Sequence, residues 1–290
     1  MIYVKEVAYS YDNVPVIENV SFEEKEPVIA GLWGRNGAGK TTLMRLLAGH
    51  QRPHAGTVQV MGSAPYGNSA AVRHVCYMQE DHPFSTIWTV QDALRFGRYF
   101  NADWDQATAD RLVETFRLDR KKKVSKLSKG MKSALQFIIG LSSHADLTIL
   151  DEPTNGLDAG IRRKLYEALR ESHEQSPRLI LISTHHIEEV QTLCESLIVM
   201  HKGKLLHHQP IEEFREKGIW LVGERSVVAN IIEGHKVLEQ SAMGSKIRVM
   251  LDAPYSKQWK EQAQAYGLSI EKADLQNYLL NITEDAEVNI

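Results

Sequence analysis

The segment Gly34-Arg35-Asn36-Gly37-Ala38-Gly39-Lys40-Thr41 constrains this chain more than any other feature. It satisfies G-x-x-x-x-G-K-[ST] at every required position. An apolar run, Val28-Ile29-Ala30-Gly31-Leu32-Trp33, precedes it with the length and flanks of a buried strand, and Leu43, Leu46 and Leu47 follow at helical spacing. In such a strand, turn and helix, the glycines let backbone N–H groups approach phosphate oxygens with no Cβ in the way. The positive end of the helix dipole, opening near Lys40, faces the anion. Lys40 adds a mobile cation, and the Thr41 hydroxyl is placed to hold Mg2+. Gly34, Asn36, Gly37, Ala38, Gly39, Lys40, Thr41 and Thr42 are therefore the candidate nucleotide-binding residues.

The complement to such a loop is an apolar strand that ends in a carboxylate, and Leu147-Thr148-Ile149-Leu150-Asp151-Glu152 supplies it. Asp151 would bind Mg2+, and Glu152 would polarise the attacking water as general base. A further buried run, Leu179-Ile180-Leu181-Ile182, follows a helical stretch from about Gly160 to Ser172. Strands alternating with helices predict an α/β fold with a mostly parallel sheet. Met1–Ala8 and Val14–Phe22 read as additional β structure, and three amphipathic helices fall between about residues 84 and 145. Leu197–Met200, a turn at Lys202-Gly203 and Lys204–His207 read as a hairpin.

A formal net charge of −3 argues against a nucleic-acid partner. Arg120-Lys121-Lys122-Lys123, the one dense basic cluster, reads as a solvated turn or helix end. Two cysteines, Cys76 and Cys194, lie far apart in apolar runs, as buried thiols of a reducing compartment do. No signal peptide is expected from the opening residues, and no apolar stretch approaches the ~20 residues that span a bilayer. His201, His207 and His208 have no metal-site spacing.

Leu127-Ser128-Lys129-Gly130-Met131, just ahead of the acidic strand, resembles the signature of the ABC transporter ATPases. Other segments match that family in its own order. Gln79 looks like the Q-loop glutamine, Asp158 in Gly156-Leu157-Asp158 like the D-loop, and His185 in Ser183-Thr184-His185 like the switch histidine. Tyr11, with Tyr9 as its rival, looks like the aromatic that stacks on adenine. The resemblance spans about residues 1–210 and implies a RecA-like P-loop core with an antiparallel β subdomain and a helical subdomain. It implies ATP hydrolysis with Mg2+ held near Thr41, Gln79 and Asp151, and catalysis by Glu152 and His185, with His185 gripping the γ-phosphate. It implies γ-phosphate contacts from the facing subunit through its signature residues Ser128 and Gly130, with Asp158 at the nucleotide interface communicating across it. It further implies two such subunits sandwiching ATP head to tail, as a homodimer or with a related chain. A separate transmembrane permease subunit would hold them at the cytoplasmic face of the membrane.

Residues 1–212 are thus expected to form the ATPase domain, and 213–290 a small accessory domain whose strand and helix order suggests a ferredoxin-like split βαβ unit. The Leu-Ser-Lys-Gly-Met form and the tail Asp274–Leu280 resemble ATPases of bacterial exporters, some of which carry phenol-soluble modulins or antimicrobial peptides. Two other readings differ in class. A soluble ABC ATPase acting on ribosomes or DNA would carry a second ATPase domain or long coiled coils, and no heptad run is visible. A regulatory subunit that binds ATP without cleaving it would lack residues such as Glu152, His185 or Gln79, and all are present.

The signature departs from the family's usual form, with Lys129 in place of a glycine and Met131 in place of a glutamine that hydrogen-bonds near the partner's ribose. A working site with a weaker closed dimer is expected. Met131→Gln should strengthen ATP-dependent dimerisation, measured by sedimentation or light scattering; unchanged closure would count against that role for position 131.

Overall fold

The structure, a computed structural model, describes residues 1–80 and 84–284. Residues 81–83 and 285–290, which fall inside the two expected domains, lie outside the described residues. The chain divides into two compact units, Met1–His185 with Val190–His208, and His186–Glu189 with Gln209–Ile290.

The first unit opens with β1 (Ile2–Tyr11), β2 (Val14–Glu24) and β3 (Ile29–Trp33), followed by α1 (Lys40–Leu47), β4 (Ala55–Val60), α2 (Ser69–Val72) and β5 (Val75–Met78). Three helices come next, α3 (Val90–Phe100), α4 (Gln106–Thr115) and α5 (Lys129–Ser142). Then β6 (Leu147–Asp151), α6 (Ala159–Gln175), β7 (Leu179–Thr184), β8 (Ser196–His201) and β9 (Lys204–Pro210, of which Gln209 and Pro210 fall to the second unit) complete the succession. Between β7 and β8 in sequence, α7 (Ile187–Val190) falls mostly to the second unit. The large sheet has the order β5-β6-β7-β3-β8-β9, with the first five strands parallel. Every residue of β3, β6 and β7 is buried, which is why these strands read as continuous apolar runs rather than alternating ones. The small sheet, β2-β1-β4, is antiparallel.

One core joins the two sheets through α1: Leu43, Met44, Leu46 and Leu47 pack with Val58 and Val60 on one side and Leu147, Ile149 and Leu181 on the other. The helix that carries Lys40 and Thr41 is therefore fixed by burial along its length. Side chains cap the helices nearest the site. Ser128 accepts from the Met131 amide at the start of α5, and Asp158 accepts from the Ile161 amide at the start of α6. Thr89 and Asp92 form a reciprocal capping box on α3.

The second unit contains α8 (Ile211–Arg215), β10 (Lys217–Glu224), α9 (Arg225–Ile231), β11 (Val237–Met243), β12 (Lys246–Pro254), α10 (Lys257–Ala265), β13 (Ser269–Lys272) and α11 (Leu275–Ile282). Its sheet has the order β11-β12-β10-β13 and is antiparallel throughout. β10, α9, β11, β12, α10 and β13 thus follow in a β-α-β-β-α-β succession on that sheet. Ile219, Leu221, Val249 and Leu251 pack against Val228 of α9 and Trp259 of α10. The added helix α11 contacts β10 and β11, and the Tyr278 hydroxyl donates to Asp252 Oδ1 at 2.7 Å.

Both cysteines are buried and free, and burial pushes the Cys76 thiol up to about 11, so it stays protonated at neutral pH. Among the described residues no helix is long and apolar enough to cross a membrane.

Candidate nucleotide site

The register of the parallel strands assembles the site. Trp33 pairs with Thr184, Met78 with Leu150, and Asp151 with Ser183. The residues that follow, Gly34, Gln79-Glu80, Glu152 and His185, consequently emerge together at the carboxyl ends of the strands, the usual ligand edge of an open α/β sheet. A cavity of about 200 Å³ lies there, lined by Asn36 to Thr42 together with Val16, Arg35, Glu80, Asp151 and Glu152.

The glycines meet two different demands. Gly39 precedes α1 with φ +99°, and a Cβ there would stand 2.9 Å from the Val16 carbonyl oxygen. Gly34 has an ordinary φ, but a Cβ would come within 2.6 Å of the Met200 carbonyl oxygen. The first α1 bond of the turn runs from the Leu43 amide to the Gly39 carbonyl at 2.9 Å, so the amides of Lys40, Thr41 and Thr42 have no acceptor one turn back. They are the natural donors for an anion in the cavity.

Lys40 is the buried cation of this site. Its Nζ donates to the Gly34 carbonyl at 2.5 Å and lies 3.7 Å from Glu152 Oε1. Burial lowers its pKa, against the opposing pull of Glu152 and Asp151. Asp151 moves the other way: burial raises its pKa, while bonds from Ser183 and Thr41 hold it down. Ser183 Oγ donates to Asp151 Oδ1 at 2.7 Å, and Thr41 Oγ1 donates to Asp151 Oδ2 at 3.1 Å. Tyr77 OH reaches the same Oδ2 at 3.4 Å.

Glu152 follows in the left-handed region, with φ +46°. Such a backbone persists in a non-glycine residue only where its surroundings enforce it. Here its amide donates to Ser183 Oγ at 2.8 Å, and its Oε2 lies 2.9 Å from His185 Nδ1. The carboxylate thus bridges Lys40 and His185 over the cavity.

The remaining expected residues are placed as follows. Gln79 directly follows β5 and is not among the cavity's lining, whereas its neighbour Glu80 is. Tyr11 hydrogen-bonds Gln51 (2.8 Å) and Arg45 (3.4 Å) through its hydroxyl and lies outside that lining too. Tyr9, the alternative, stacks on His54 at 4.9 Å and meets Tyr11 edge-on at 5.0 Å. Ser128, Gly130 and Asp158 are not brought to this cavity; they sit at the starts of α5 and α6, with Ser128 exposed. Ser183, Tyr77, Glu80 and Asn155 were not anticipated. They are single polar residues whose roles come from strand register and loop packing. Ser183 lay beside Thr184-His185, and Tyr77 and Glu80 beside Gln79 in Tyr77-Met78-Gln79-Glu80, but Asn155 lay in no recognised segment.

A glycine-rich turn on a buried helix, a buried lysine, and an acidic strand end backed by histidine define the nucleotide-binding half of a P-loop ATPase. Comparison with known proteins narrows this. Residues 17–155 match the family model described as ABC transporter. A Nod factor export ATP-binding protein I of Mesorhizobium japonicum is 37% identical over 204 residues, covering 68% of this chain and 60% of that protein. The chain thus spans less than two thirds of that relative. An uncharacterised ABC transporter ATP-binding protein of Methanocaldococcus jannaschii is 32% identical over 219 residues, covering 74% of this chain and 79% of that protein. Among solved structures, the ATP binding subunit of an ABC transporter superposes with a TM-score of 0.67 at 26% identity, over 74% of this chain and 92% of that one. A dimeric ATP-binding cassette bound to ADP and Pi, at 16% identity and a TM-score of 0.64 over 73% of this chain and 99% of that one, shares the fold. The chain belongs to the ABC transporter ATP-binding proteins, a family of ATPases.

Lys40→Ala removes the buried cation and leaves Glu152 facing any incoming phosphate alone. Affinity for a fluorescent ATP analogue should fall by about tenfold or more, since charge-assisted bonds of this kind are worth about 1.5–3 kcal/mol. Unchanged affinity would discredit the cradle.

Proposed function

We propose that this chain hydrolyses ATP as one half of a head-to-tail dimer and powers export through a separate membrane-spanning subunit. The observation that carries the reading is the convergence of Lys40, Asp151 and Glu152 on one cavity at the head of α1, with His185 held against Glu152.

In the resting geometry Lys40 is shared between the Gly34 carbonyl and Glu152. A triphosphate tail competes for that ammonium and draws it away from Glu152. The carboxylate, still held by His185, is then free to accept a proton from the attacking water. His185 sits where it can fix the base and donate towards the γ-phosphate. Hard oxygen donors at Thr41 and Asp151 suit Mg2+, which when bound would neutralise charge on the β- and γ-phosphates. Among the described residues no cluster of three or more His, Cys, Asp or Glu is placed to hold a metal ion.

The signature residues lie outside this cavity. Ser128 Oγ accepts from the Met131 amide and keeps its own proton to donate, at the positive end of the 14-residue helix α5. That arrangement suits a phosphate presented by a second subunit, with Asp158 beside the same interface and Tyr11 or Tyr9 left for the base.

Export is supported by the relatives named for Nod factor export and by the form of the signature; amphipathic compounds such as peptides are the cargo class we infer. For the membrane subunit, the fitting surface is the aromatic face around α3. Tyr99 is 84% exposed, Ile87 75% and Phe100 59%, and Phe96 meets Phe100 (4.5 Å) and Trp88 (4.6 Å) in tilted ring contacts. A contiguous exposed apolar patch of this kind marks an interaction site.

Glu152→Gln should keep ATP binding and lower turnover by about 10²–10⁴-fold, the worth of a general base, as read by phosphate release; wild-type turnover would overturn the assignment. Purified in mild detergent from its own cells, the chain should bring a membrane-spanning protein with it. Tyr99→Glu combined with Phe100→Glu should abolish that association without altering nucleotide affinity, and retention would remove α3 from the docking surface.

A further inference from the structure

Among the described residues, Glu80 both lines the phosphate cavity and bonds the signature segment. Its Oε1 accepts from Asn155 Nδ2 at 2.5 Å, in the loop after β6, and from Lys129 Nζ at 3.3 Å, in the signature. Its carbonyl accepts from Gln136 Nε2 at 3.4 Å, two turns further along α5. Burial dominates the shifts of Lys40 and Asp151, yet the Glu80 charge is felt at both.

Lys129 reaches this carboxylate by a defined route. A Cβ on Gly156 would stand 3.2 Å from Lys129 Cδ and 3.4 Å from its Cγ, so the lysine stem runs across the bare glycine. Gly156 is held at φ +78°, and a Cβ on Gly130 would come 3.2 Å from the Gly156 carbonyl oxygen. Ser133 Oγ adds bonds to the carbonyls of Lys129 (3.2 Å) and Asn155 (3.4 Å). The signature turn and the loop 154–157 are thereby packed as one body, with Glu80 as the tie between that body and the cavity. A glycine at position 129 could not make this link.

We propose that Glu80 is a positioning residue. Through Lys129 it couples occupancy of a protomer's own phosphate cavity to the posture of the signature that completes the partner's site. Phosphate entering the cavity repels the Glu80 carboxylate, and a cation beside the phosphates attracts it. Either movement is passed to Lys129, and so to Ser128 and Gly130 at the head of α5. The inference rests on the head-to-tail ATPase reading above.

The pair is half exposed, with side-chain exposures of 56% for Lys129 and 36% for Glu80, so its effect on the resting fold is small and its signature is kinetic. The test measures ATP turnover against ATP concentration for the full chain and for Lys129→Gln, Lys129→Arg, Glu80→Gln and the Glu80→Gln/Lys129→Gln double variant. Binding of a fluorescent ATP analogue to dilute monomer is measured in parallel. Lys129→Gln should raise the half-saturating ATP concentration about 2–5-fold, the range of a partly exposed ion pair. Its kcat should change less than twofold and its monomer affinity not at all. Lys129→Arg should restore the wild-type value, and the double variant should be no worse than Glu80→Gln alone. Effects of Lys129→Gln and Glu80→Gln that multiply, an arginine as damaging as the glutamine, or an unmoved half-saturation would each overturn the coupling. If the unaltered chain shows no ATP turnover, the ATPase reading itself falls; a cooperative parent with indifferent variants removes the coupling alone.

Discussion

A buried ammonium with two partners governs this molecule. Lys40 Nζ is held by the Gly34 carbonyl and faces Glu152, in a cavity whose burial disfavours its charge. A cation in that position is tolerated only while something anionic or strongly polar faces it. Without nucleotide that role falls to Glu152; with a triphosphate, phosphate oxygens can take it over. The same contact therefore steadies the resting loop and occupies the Glu152 carboxylate, and the mechanism proposed above turns on the exchange of its partners.

The scaffold makes this exchange possible by spending its burial where the lysine is anchored. α1 contributes four apolar residues to the main core, and β3, β6 and β7 are buried along their whole length. Parallel strands need cover on both faces, so their carboxyl ends become the natural outlets for polar residues. Register then sets which residues meet. Because Asp151 pairs with Ser183, the serine hydroxyl serves both the Asp151 carboxylate and the Glu152 amide, which holds Glu152 at its left-handed φ.

What could be read from the residues alone follows the same division. Continuous apolar runs and a spaced glycine motif carry local information, so β3, β6, β7, the head of α1 and the parallel α/β class were legible. The second unit's elements were legible too, but their limits were not. β11 runs on to Met243 because backbone pairing with β12 continues to Lys246, and neither Gln240 nor Ser241 announces a strand by its apolarity. The partners within the site were hidden for a related reason. Tyr77, Glu80 and Asn155 occupy no diagnostic spacing, and each acquires its role from a neighbour distant in sequence. Lys129 was visible only as an oddity in the signature; its meaning depends on the bare backbone of Gly156 beside it.

That oddity bears on how two half-sites act together. One protomer's cavity brings together the glycine turn, Lys40 and the Glu152 carboxylate, but its own signature hydroxyl, Ser128, is exposed elsewhere at the head of α5. Two subunits of this kind would share each nucleotide, and neither could sense its neighbour's state without a link inside the chain from cavity to signature. Backbone alone offers a long route, from the end of β5 through α3 and α4 to Leu127. Glu80 offers a short one of single polar contacts to Asn155, Lys129 and Gln136. A flexible ion pair in that position yields to small displacements while the packed loop beneath it does not, so motion at the cavity is directed into the signature rather than dissipated in the core.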